Sequence, residues 1–422
     1  MTTTFKPENA DQVVEAVAWA AAEGQPLEVA GRGTKRGLGR PVQAAHGIDL
    51  SGLSGITLYE PEELVLSARA GTPLAEIEAA LAAQHQQLAF EPGDLGPLFG
   101  AAAGRGSIGG TLACNLAGSR RIKAGAARDH FLGATAVSGR GEAFKFGGRV
   151  VKNVTGYDLC KLLAGSHGTL ALMTDVTVKV MPAPEKTRTL LLLGLDDPGA
   201  RAAMTRALQS SQEVSGAAHL PAAIAARSAV SYIAQAGGAV TALRVEGPGP
   251  SVDYRCKALR EDLADLAESE ELHSMNSAVL WRELRDVAPF AGQPERPLWR
   301  VSVAPQDGAG LAAAVARDLD AEYFYDWGGG LIWLAPAAPG PAAPGPAAPG
   351  KDAGADAGAA RIRAALGANG GHGTLIRAPA EIRAAVPVFQ PQDPAMAALT
   401  TRVKDSFDPK RVLNPGRMYA GV

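Results

Sequence analysis

The stretch that decides the fold covers residues 150–180 and reads VVKNVTGYDLCKLLAGSHGTLALMTDVTVKV. Within it, Asp158 is placed to cap a helix over residues 159–163, because an aspartate side chain can accept a hydrogen bond from the free backbone N–H groups at a helix start. An earlier glycine-rich loop, VAGRGTKRG at residues 29–37, is the second half of the pattern. The two segments together predict a fold built around a ligand.

The earlier loop follows a short apolar run at residues 27–30, which predicts a buried strand that ends in the loop. Glycines let successive backbone N–H groups turn toward an anion, and neighbouring basic and hydroxyl side chains add charge and donors. A diphosphate fits this description, although the loop alone is equally compatible with a basic surface turn. The residues concerned are Gly31, Arg32, Gly33, Thr34, Lys35, Arg36 and Gly37.

A second glycine cluster, GRGSIGGTLACNL, covers residues 104–116. Its spacing matches the dinucleotide fingerprint, but that motif needs a strand directly before it, and residues 91–104 are rich in turn formers. A phosphate-binding P-loop is excluded because no lysine follows Gly109. We therefore interpret this segment as flexible backbone that could hydrogen-bond an extended ligand through Ser107, Thr111 and Asn115.

The order of these segments resembles the vanillyl-alcohol oxidase type of FAD-binding domain, also called the PCMH type. The resemblance covers residues 4–182 and returns at the C-terminus, and it is closest to the smaller FAD-binding subunits of bacterial glycolate oxidases. It is carried by Gly31-x-Gly33-Thr34, SIGGT at residues 107–111, Arg128-Asp129, GRVVKNVTGYDL at residues 148–159, GSHGTL at residues 165–170, FDP at residues 407–409 and LNPGR at residues 413–417.

The resemblance implies that the loop over residues 31–37 holds the FAD pyrophosphate and that the second turn lines the flavin and its ribityl chain. It implies that a third group of residues closes over the nucleotide. Beyond the first loop, the implied cofactor-binding residues are Ser107, Ile108, Gly109, Gly110, Thr111, Asn115, Arg128, Gly165, Ser166, Gly168, Thr169, Asp175 and Val176. Some relatives tether flavin through His or Cys in or near the first loop, and residues 32–36 contain neither, so we expect non-covalent FAD.

Composition limits the remaining functional classes. The chain has 422 residues, 41 basic and 43 acidic side chains and a net charge of −2, which gives no reason to expect nucleic acid or a membrane surface as partner. No apolar run has the ~18 residues needed to span a bilayer, and MTTTFKPENADQ is not a typical secretion signal. Three widely separated cysteines predict neither disulfides nor a zinc or iron–sulfur site.

The predicted fold class is α+β: a PCMH-type domain of two α/β subdomains over residues 1–182, and a smaller α+β cap with an antiparallel sheet over residues 183–400. Residues 401–422 are expected to return to the first domain. A repeat, PAAPGPAAPGPAAPG, lies within a predicted loop at residues 335–358. We interpret it as a disordered insertion, since proline removes donors and glycine removes packing, with a Pro-rich docking arm as the alternative.

Candidate catalytic residues are few. His372 precedes an apolar strand and could act in proton transfer, Arg377 could bind a carboxylate, and Tyr157 could contact flavin or substrate. A histidine in a loop is more often a surface or packing residue, and Tyr157 could equally close the core. The pattern of histidines and acids that gives metal-assisted hydroxy-acid enzymes their metal site is absent, so no metal is predicted. A basic patch including Arg120, Arg121, Lys123 and Arg128 favours FAD or partner docking over a solvated face.

The resemblance therefore implies an FAD-dependent oxidoreductase acting on CH–OH groups, as the FAD-binding subunit of a glycolate oxidase-like complex. Its partners would be a small 2-hydroxy acid, a larger sister FAD subunit and an iron–sulfur subunit, in the cytoplasm and with membrane association through partners left open. Two alternatives remain: a stand-alone FAD-dependent 2-hydroxy-acid dehydrogenase, and a non-catalytic assembly subunit.

Overall fold

The computed structural model describes residues 3–149, 156–338, 353–367 and 370–422. The motif residues 150–155 and most of the Pro/Ala/Gly repeat lie outside these described residues. The chain divides into two compact units: the first contains residues 1–117, 125–183 and 387–422, and the second contains residues 118–124 and 184–386. The sequence places the main boundary after residue 182 and the C-terminal return at 401, and it does not predict the short excursion at 118–124.

In the first unit, the strand predicted over residues 27–30 and the helix predicted over residues 159–163 are both present. Asn9 caps the first helix and Gly24, in the left-handed region, ends it. The helices are α1 Ala10–Glu23, α2 Leu74–Ala82, α3 Ile108–Cys114, α5 Ala127–His130, α6 Leu159–Leu163 and α15 Pro394–Phe407. The strands are β1 Thr3–Phe5, β2 Leu27–Ala30, β3 His46–Asp49, β4 Ile56–Glu60, β5 Val65–Arg69, β6 Gln86–Gln87, β7 Phe131–Ser138, β8 Ala143–Gly147, β9 Ala171–Lys179 and β10 Met181–Pro182.

Two main sheets organise this unit. A parallel sheet has the strand order β1-β3-β2, and a five-stranded antiparallel sheet has the order β4-β5-β9-β7-β8. The strands β6 and β10 form a separate antiparallel pair. The prediction of two subdomains requires two separate sheets in this region, and the parallel and antiparallel sheets are separate.

Each sheet has its own core. Val13 and Val17 of α1 pack with Leu27 and Ile48 of the parallel sheet, and Leu413 from the C-terminal segment joins them. A larger cluster joins α2, α3 and α6 to the five-stranded sheet. Burying such aliphatic side chains stabilises the fold by about 1.5–3 kcal/mol each, so the cores hold the loops between them in place.

The second unit is an eight-stranded sheet with helices. Its helices are α4 Arg121–Ala124, α7 Asp197–Gln209, α8 Ala222–Ala225, α9 Ser231–Ala234, α10 Gly249–Asp262, α11 Ser274–Arg285, α12 Pro305–Asp318, α13 Ala359–Leu366 and α14 Ala380–Ala385. Its strands are β11 Lys186–Leu193, β12 Gly216–Leu220, β13 Val240–Gly247, β14 Ser269–Leu272, β15 Leu298–Ser302, β16 Ala321–Asp326, β17 Leu331–Pro336 and β18 His372–Arg377.

Every pairing in this sheet is antiparallel, in the order β14-β11-β13-β12-β16-β17-β15-β18. This arrangement is the predicted antiparallel cap sheet. A core of Leu190, Leu243, Met204 and Leu259 joins the sheet to α7 and α10. Short 3-10 turns occur at Leu50–Gly52, Pro97–Phe99, Ala288–Phe290, Trp327–Gly329 and Gly354–Asp356.

Candidate cofactor site

The first glycine loop follows β2 and cannot accept side chains at its key positions. A Cβ on Gly31 would lie 2.6 Å from Ser107 Oγ, and Gly33 has a φ of +75°. Both positions therefore need glycine, the first because of close approach and the second because of its left-handed backbone. The loop is held directly against the second glycine turn.

That second turn is more ordered than the sequence indicates. We expected flexible backbone, but residues 108–114 form α3, because Ser107 caps the helix by accepting a hydrogen bond from Gly110 N at 3.4 Å. Gly109 N donates to Ala70 O at 2.9 Å, and a Cβ on Gly109 would lie 2.7 Å from Ala70 Cβ. The turn is thus fixed to the end of β5, and the expectation of flexibility is wrong.

The two glycine segments line one cavity in the first unit. Its lining also includes the end of β2, Leu50, Ala70, the 167–168 turn, β9 and Arg417 of the C-terminal segment. Ten of the predicted cofactor-binding residues lie in this lining: Gly31, Arg32, Gly33, Thr34, Lys35, Arg36, Ser107, Gly109, Gly110 and Gly168.

The cavity carries positive charge. Arg32 Nε is buried with no hydrogen-bond partner among the described residues. A Cβ on Gly106 would lie 3.5 Å from Lys35 Nζ, so this ammonium lies beside the second turn, and burial lowers its pKa. Arg36 forms an ion pair with Glu28 at 3.3 Å. A buried donor and a desolvated ammonium that line the same cavity favour a strongly anionic ligand.

The C-terminal segment completes the cavity. Arg417 Nη2 donates to Lys35 O at 3.0 Å, and Arg417 O accepts from Arg40 N at 2.8 Å. Asn414 Oδ1 accepts from Val29 N at 2.8 Å, while Asn414 Nδ2 donates to His167 O at 2.9 Å. Through these hydrogen bonds, the LNPGR motif at residues 413–417 connects the first loop to the 167–168 turn. Arg417 lines the cavity, although we did not select it from its motif.

Two further cavity residues were not predicted. Cys114 Sγ lies 3.7 Å from His167 Nδ1, and both side chains line the cavity. Burial, with Arg417 nearby, lowers the pKa of His167 to about 3, and burial raises the pKa of the Cys114 thiol. At neutral pH both groups are therefore uncharged. His167 belongs to the GSHGTL motif at residues 165–170. From that motif the sequence analysis predicted Gly165, Ser166, Gly168 and Thr169 as cofactor-binding residues, but not His167.

The other predicted cofactor residues lie outside this lining. Asn115 Oδ1 accepts from Arg128 N at 3.1 Å, and Thr169 Oγ1 donates to Ser166 O at 2.7 Å. These contacts support neighbouring turns. Of the remainder, Ile108, Thr111 and Val176 are buried, Gly37 faces Phe99, Gly165 has a φ of +86°, and Asp175 pairs with Arg69 and Thr135 across the sheet.

Of the three candidate catalytic residues, Tyr157 belongs to the first unit, and His372 and Arg377 belong to the second. Tyr157 is 91% exposed and packs in no core. His372 begins β18 in the second unit and is exposed. The Arg377 guanidinium donates to three backbone oxygens, those of Phe290 at 2.9 Å, Gln293 at 2.6 Å and Arg296 at 3.2 Å. This use of its donors favours a structural role for Arg377 over carboxylate binding.

Within the described ranges, no group of three or more His, Cys, Asp or Glu side chains is arranged to hold a metal ion. The helices among these residues are also too short or too polar for any of them to cross a membrane.

Similarity to known proteins agrees with this geometry. The family described as FAD binding domain matches residues 2–147. Glycolate oxidase subunit GlcE of Escherichia coli (strain K12) is 34% identical over 409 residues, which cover 97% of each chain. This chain belongs to the GlcE family. Membership confirms the cofactor, FAD, and the general class, an FAD-dependent oxidoreductase.

More distant matches support the fold of this GlcE family member. Glycolate oxidase subunit GlcD of Bacillus subtilis (strain 168) is 42% identical over 87 residues, 21% of this chain and 18% of that protein. The structure of 4-ethylphenol oxidase from Gulosibacter chungangensis superposes with a TM-score of 0.70 at 14% identity, covering 99% of this chain and 89% of that one. That of p-cresol methylhydroxylase gives 0.68 at 14% identity, covering 99% and 88%. The predicted α+β, PCMH-type fold is confirmed.

Proposed function

We propose that this chain is the FAD-binding subunit of a glycolate oxidase-like complex, that it holds FAD non-covalently, and that it takes part in the oxidation of glycolate to glyoxylate. The observation that carries the proposal is that both glycine segments and the 167–168 turn line the same cavity. The subunits named GlcE and GlcD among its relatives support membership of a multi-subunit assembly.

The residues present fit the cofactor. Glycines allow close approach at Gly31 and Gly109, and Arg32 Nε is a buried donor without a protein acceptor among the described residues. Lys35 and Arg417 place further positive charge at the same cavity, where a diphosphate would be neutralised. The other predicted cofactor residues, from Asn115 to Val176, are proposed to shape the site from behind this lining.

Bound FAD would supply the capacity to accept a hydride and to pass electrons on singly. The cavity is proposed to bind and orient FAD through its glycines and its positive charge, and His167 in its lining is neutral with a pKa of about 3. We prefer a relay role for this chain, with the main substrate chemistry in a larger sister flavoprotein.

The non-covalent attachment is supported by the chemistry of Cys114. A tether through sulfur requires a thiolate, and burial raises the pKa of this thiol. We expect acid precipitation of the purified protein to leave a colourless pellet and release all flavin to the supernatant. Yellow protein after precipitation, with a flavin-sized mass increment on Cys114 or His167, would contradict this part of the proposal.

The proposed partners are a larger sister FAD subunit and an iron–sulfur protein, in the cytoplasm and with membrane association only through them. Cys114, Cys160 and Cys256 are free cysteines, and no metal-holding group includes them among the described residues. An iron–sulfur centre would therefore come from another chain. Purification of the native assembly, followed by its visible spectrum and the masses of its components, tests this directly.

This purification and two further measurements on the isolated chain separate the alternatives. A yellow protein that travels with a second flavoprotein and a cysteine-rich companion agrees with the proposal. If the isolated chain bleaches its own flavin on addition of glycolate or D-lactate, it is a stand-alone dehydrogenase. If it keeps no FAD in equilibrium dialysis at micromolar concentration, it is an assembly subunit and the proposal fails.

A further inference from the structure

The segment that follows α15 consists of turns and one isolated bridge, yet several of its residues are buried. Val412, Leu413 and Asn414 are at most 1% exposed. Leu27 N donates to Val412 O at 2.7 Å, and Asn414 N donates to Leu27 O at 3.1 Å, so the segment runs beside β2. The C-terminal segment is therefore attached to the strand that leads into the first glycine loop.

Asn414 links two parts of the cavity lining through its side chain. Its Oδ1 accepts from Val29 N at 2.8 Å, and its Nδ2 donates to His167 O at 2.9 Å. A Cβ on Gly168 would lie 3.1 Å from Asn414 Nδ2, so the lack of a side chain there makes room for the amide. Val29, His167 and Gly168 all line the cavity. Asn414 therefore holds β2 and the 167–168 turn at a fixed separation.

A tight turn connects Asn414 to Arg417. Arg417 N donates to Asn414 O at 3.1 Å, and Pro415 and Gly416 occupy the two central positions. Proline at the first of these positions and glycine with a φ of +71° at the second are the pattern of a type II turn. Because such a turn has little freedom, a displacement of Asn414 moves Arg417 with it.

Arg417 reaches the cavity with free donors. Its Nη2 donates to Lys35 O at 3.0 Å, while its Nε and Nη1 have no hydrogen-bond partner among the described residues. The side chain is only 6% exposed and lines the cavity. A guanidinium that is buried with free donors favours an anionic ligand, since the donors would otherwise remain unsatisfied.

We propose that Asn414 is a positioning residue for FAD: by linking β2 to the 167–168 turn, it holds Arg417 where the free donors of the guanidinium bind the diphosphate of the cofactor. Phosphate oxygens are suitable acceptors for the paired donors of an arginine. The inference rests on the proposed function, and it identifies the residue that fixes one of the cations of the cavity.

The test is a double-mutant cycle in the full chain, freed of FAD and titrated with FAD by fluorescence. Arg417→Met should weaken FAD binding by about tenfold or more, because hydrogen bonds from a charged group are lost, and Arg417→Lys should weaken it less, because the charge is kept. Asn414 has a φ of +43°, which glycine also adopts, so Asn414→Gly removes the amide without straining the backbone.

Asn414→Gly should weaken FAD binding by about fivefold or more in the parent, but by less than about twofold in Arg417→Met protein, because residues that act through one another are not additive. Equal losses in the two backgrounds, or no loss in either, would overturn the inference. A merely structural role of Asn414 predicts equal losses. Urea melts of the FAD-free proteins measure the structural cost separately, and Asn414→Ser replaces Asn414→Gly if the latter does not fold.

Lys410→Met is the matched control. Lys410 Nζ donates to Ala21 O at 2.8 Å, so it also attaches the C-terminal segment to the first unit, but at α1, which contributes no described residue to the cavity lining. This variant should bind FAD as tightly as the parent. A loss equal to that of Asn414→Gly would mean that general attachment of the segment is what matters, and the inference would fail.

ADP identifies the part of the cofactor that Arg417 binds, because it carries the diphosphate and no flavin. Arg417→Met should weaken ADP binding, measured by calorimetry, by a factor similar to that for FAD. Unchanged ADP binding would overturn the assignment to the diphosphate. A parent protein that does not retain FAD contradicts the proposed function, whereas a parent that retains FAD and shows equal losses in the cycle contradicts this inference alone.

Discussion

At the scale of single residues, the site depends on groups whose burial changes their chemistry. Lys35 has its pKa lowered by burial, while Arg32 holds a buried donor with no partner among the described residues. The sequence identified both, because basic residues among glycines are typical of anion-binding loops. It did not identify Cys114 or His167, because their role arises from contacts between segments that lie 53 positions apart.

Replacing Lys35 by methionine keeps the length of the side chain and removes its charge. We expect FAD to bind about 10- to 150-fold more weakly, corresponding to the loss of about 1.5–3 kcal/mol for a hydrogen bond to a charged group. Fluorescence titration of the apoprotein with FAD measures the change. Lys257→Met, at an exposed lysine of the second unit, is the control and should bind FAD normally.

His167 predicts a pH dependence of stability. Its folded pKa of about 3 lies below the value of about 6.5 in an unfolded chain, so the unfolded state binds more protons between these pH values. Stability is therefore lost as pH falls below 6.5, by up to about 1.4 kcal/mol per pH unit from this residue. In denaturant melts of the apoprotein from pH 7 to 4.5, His167→Asn should lack that contribution.

An unchanged slope in His167→Asn would show that His167 is not the buried neutral group described above.

At the scale of elements, local patterns predicted the strand before the first loop and the helix capped by Asp158. The antiparallel cap sheet was implied by the resemblance to the FAD-binding family, and its strand order comes from the structure. The parallel sheet β1-β3-β2 was not predicted, because its short strands pair through contacts distant in sequence. The helical state of residues 108–114 was missed for a similar reason, since contacts with Ala70 and Thr72 stabilise a glycine-rich turn.

The C-terminal helix α15 ends in a buried ion pair. Lys404 Nζ lies 2.8 Å from Asp408 Oδ2, and both residues are fully buried. Asp408 also accepts from Val412 N at 3.0 Å and Leu413 N at 2.8 Å, which sets the path of the segment that carries Arg417. This pair positions the final contributor to the cofactor cavity.

Removal of one member of the pair should therefore affect both stability and binding. Asp408→Ala leaves a buried ammonium uncompensated, and we expect a loss of about 3–5 kcal/mol in unfolding free energy together with weaker FAD retention. Asp405→Ala removes an exposed partner of Arg411 on the same helix and should cost at most about 1 kcal/mol. Equal effects of the two substitutions in urea melts would refute this.

At the scale of the whole molecule, the second unit includes residues 118–124. Arg120 makes a two-pronged contact with Glu246 at 2.9 and 2.8 Å, and Glu246 also accepts from Ser215 Oγ at 2.6 Å. Burial would raise the pKa of Glu246, but Arg244 and Arg120 outweigh it and hold the value at about 2. Glu246 is therefore ionised at neutral pH and anchors the short segment.

Arg120→Met should loosen this segment selectively. We expect trypsin to cleave after Arg121 and Lys123 severalfold faster, because local opening of the segment then costs less free energy. Arg105→Met, at an exposed position of the first unit, should leave the cleavage rate unchanged. Peptide masses from a brief digestion report both.

Because residues 118–124 belong to the second unit, that unit is encoded by two separate stretches of the gene. A chimera made by exchanging only the codons for residues 184–386 with those of a relative would keep the host's Ser119 and Arg120 facing a foreign Asp326 and Glu246. A working cassette must also carry residues 118–124, which requires four crossover points rather than two. Natural recombination of the two units is constrained in the same way, so they are expected to have been inherited together.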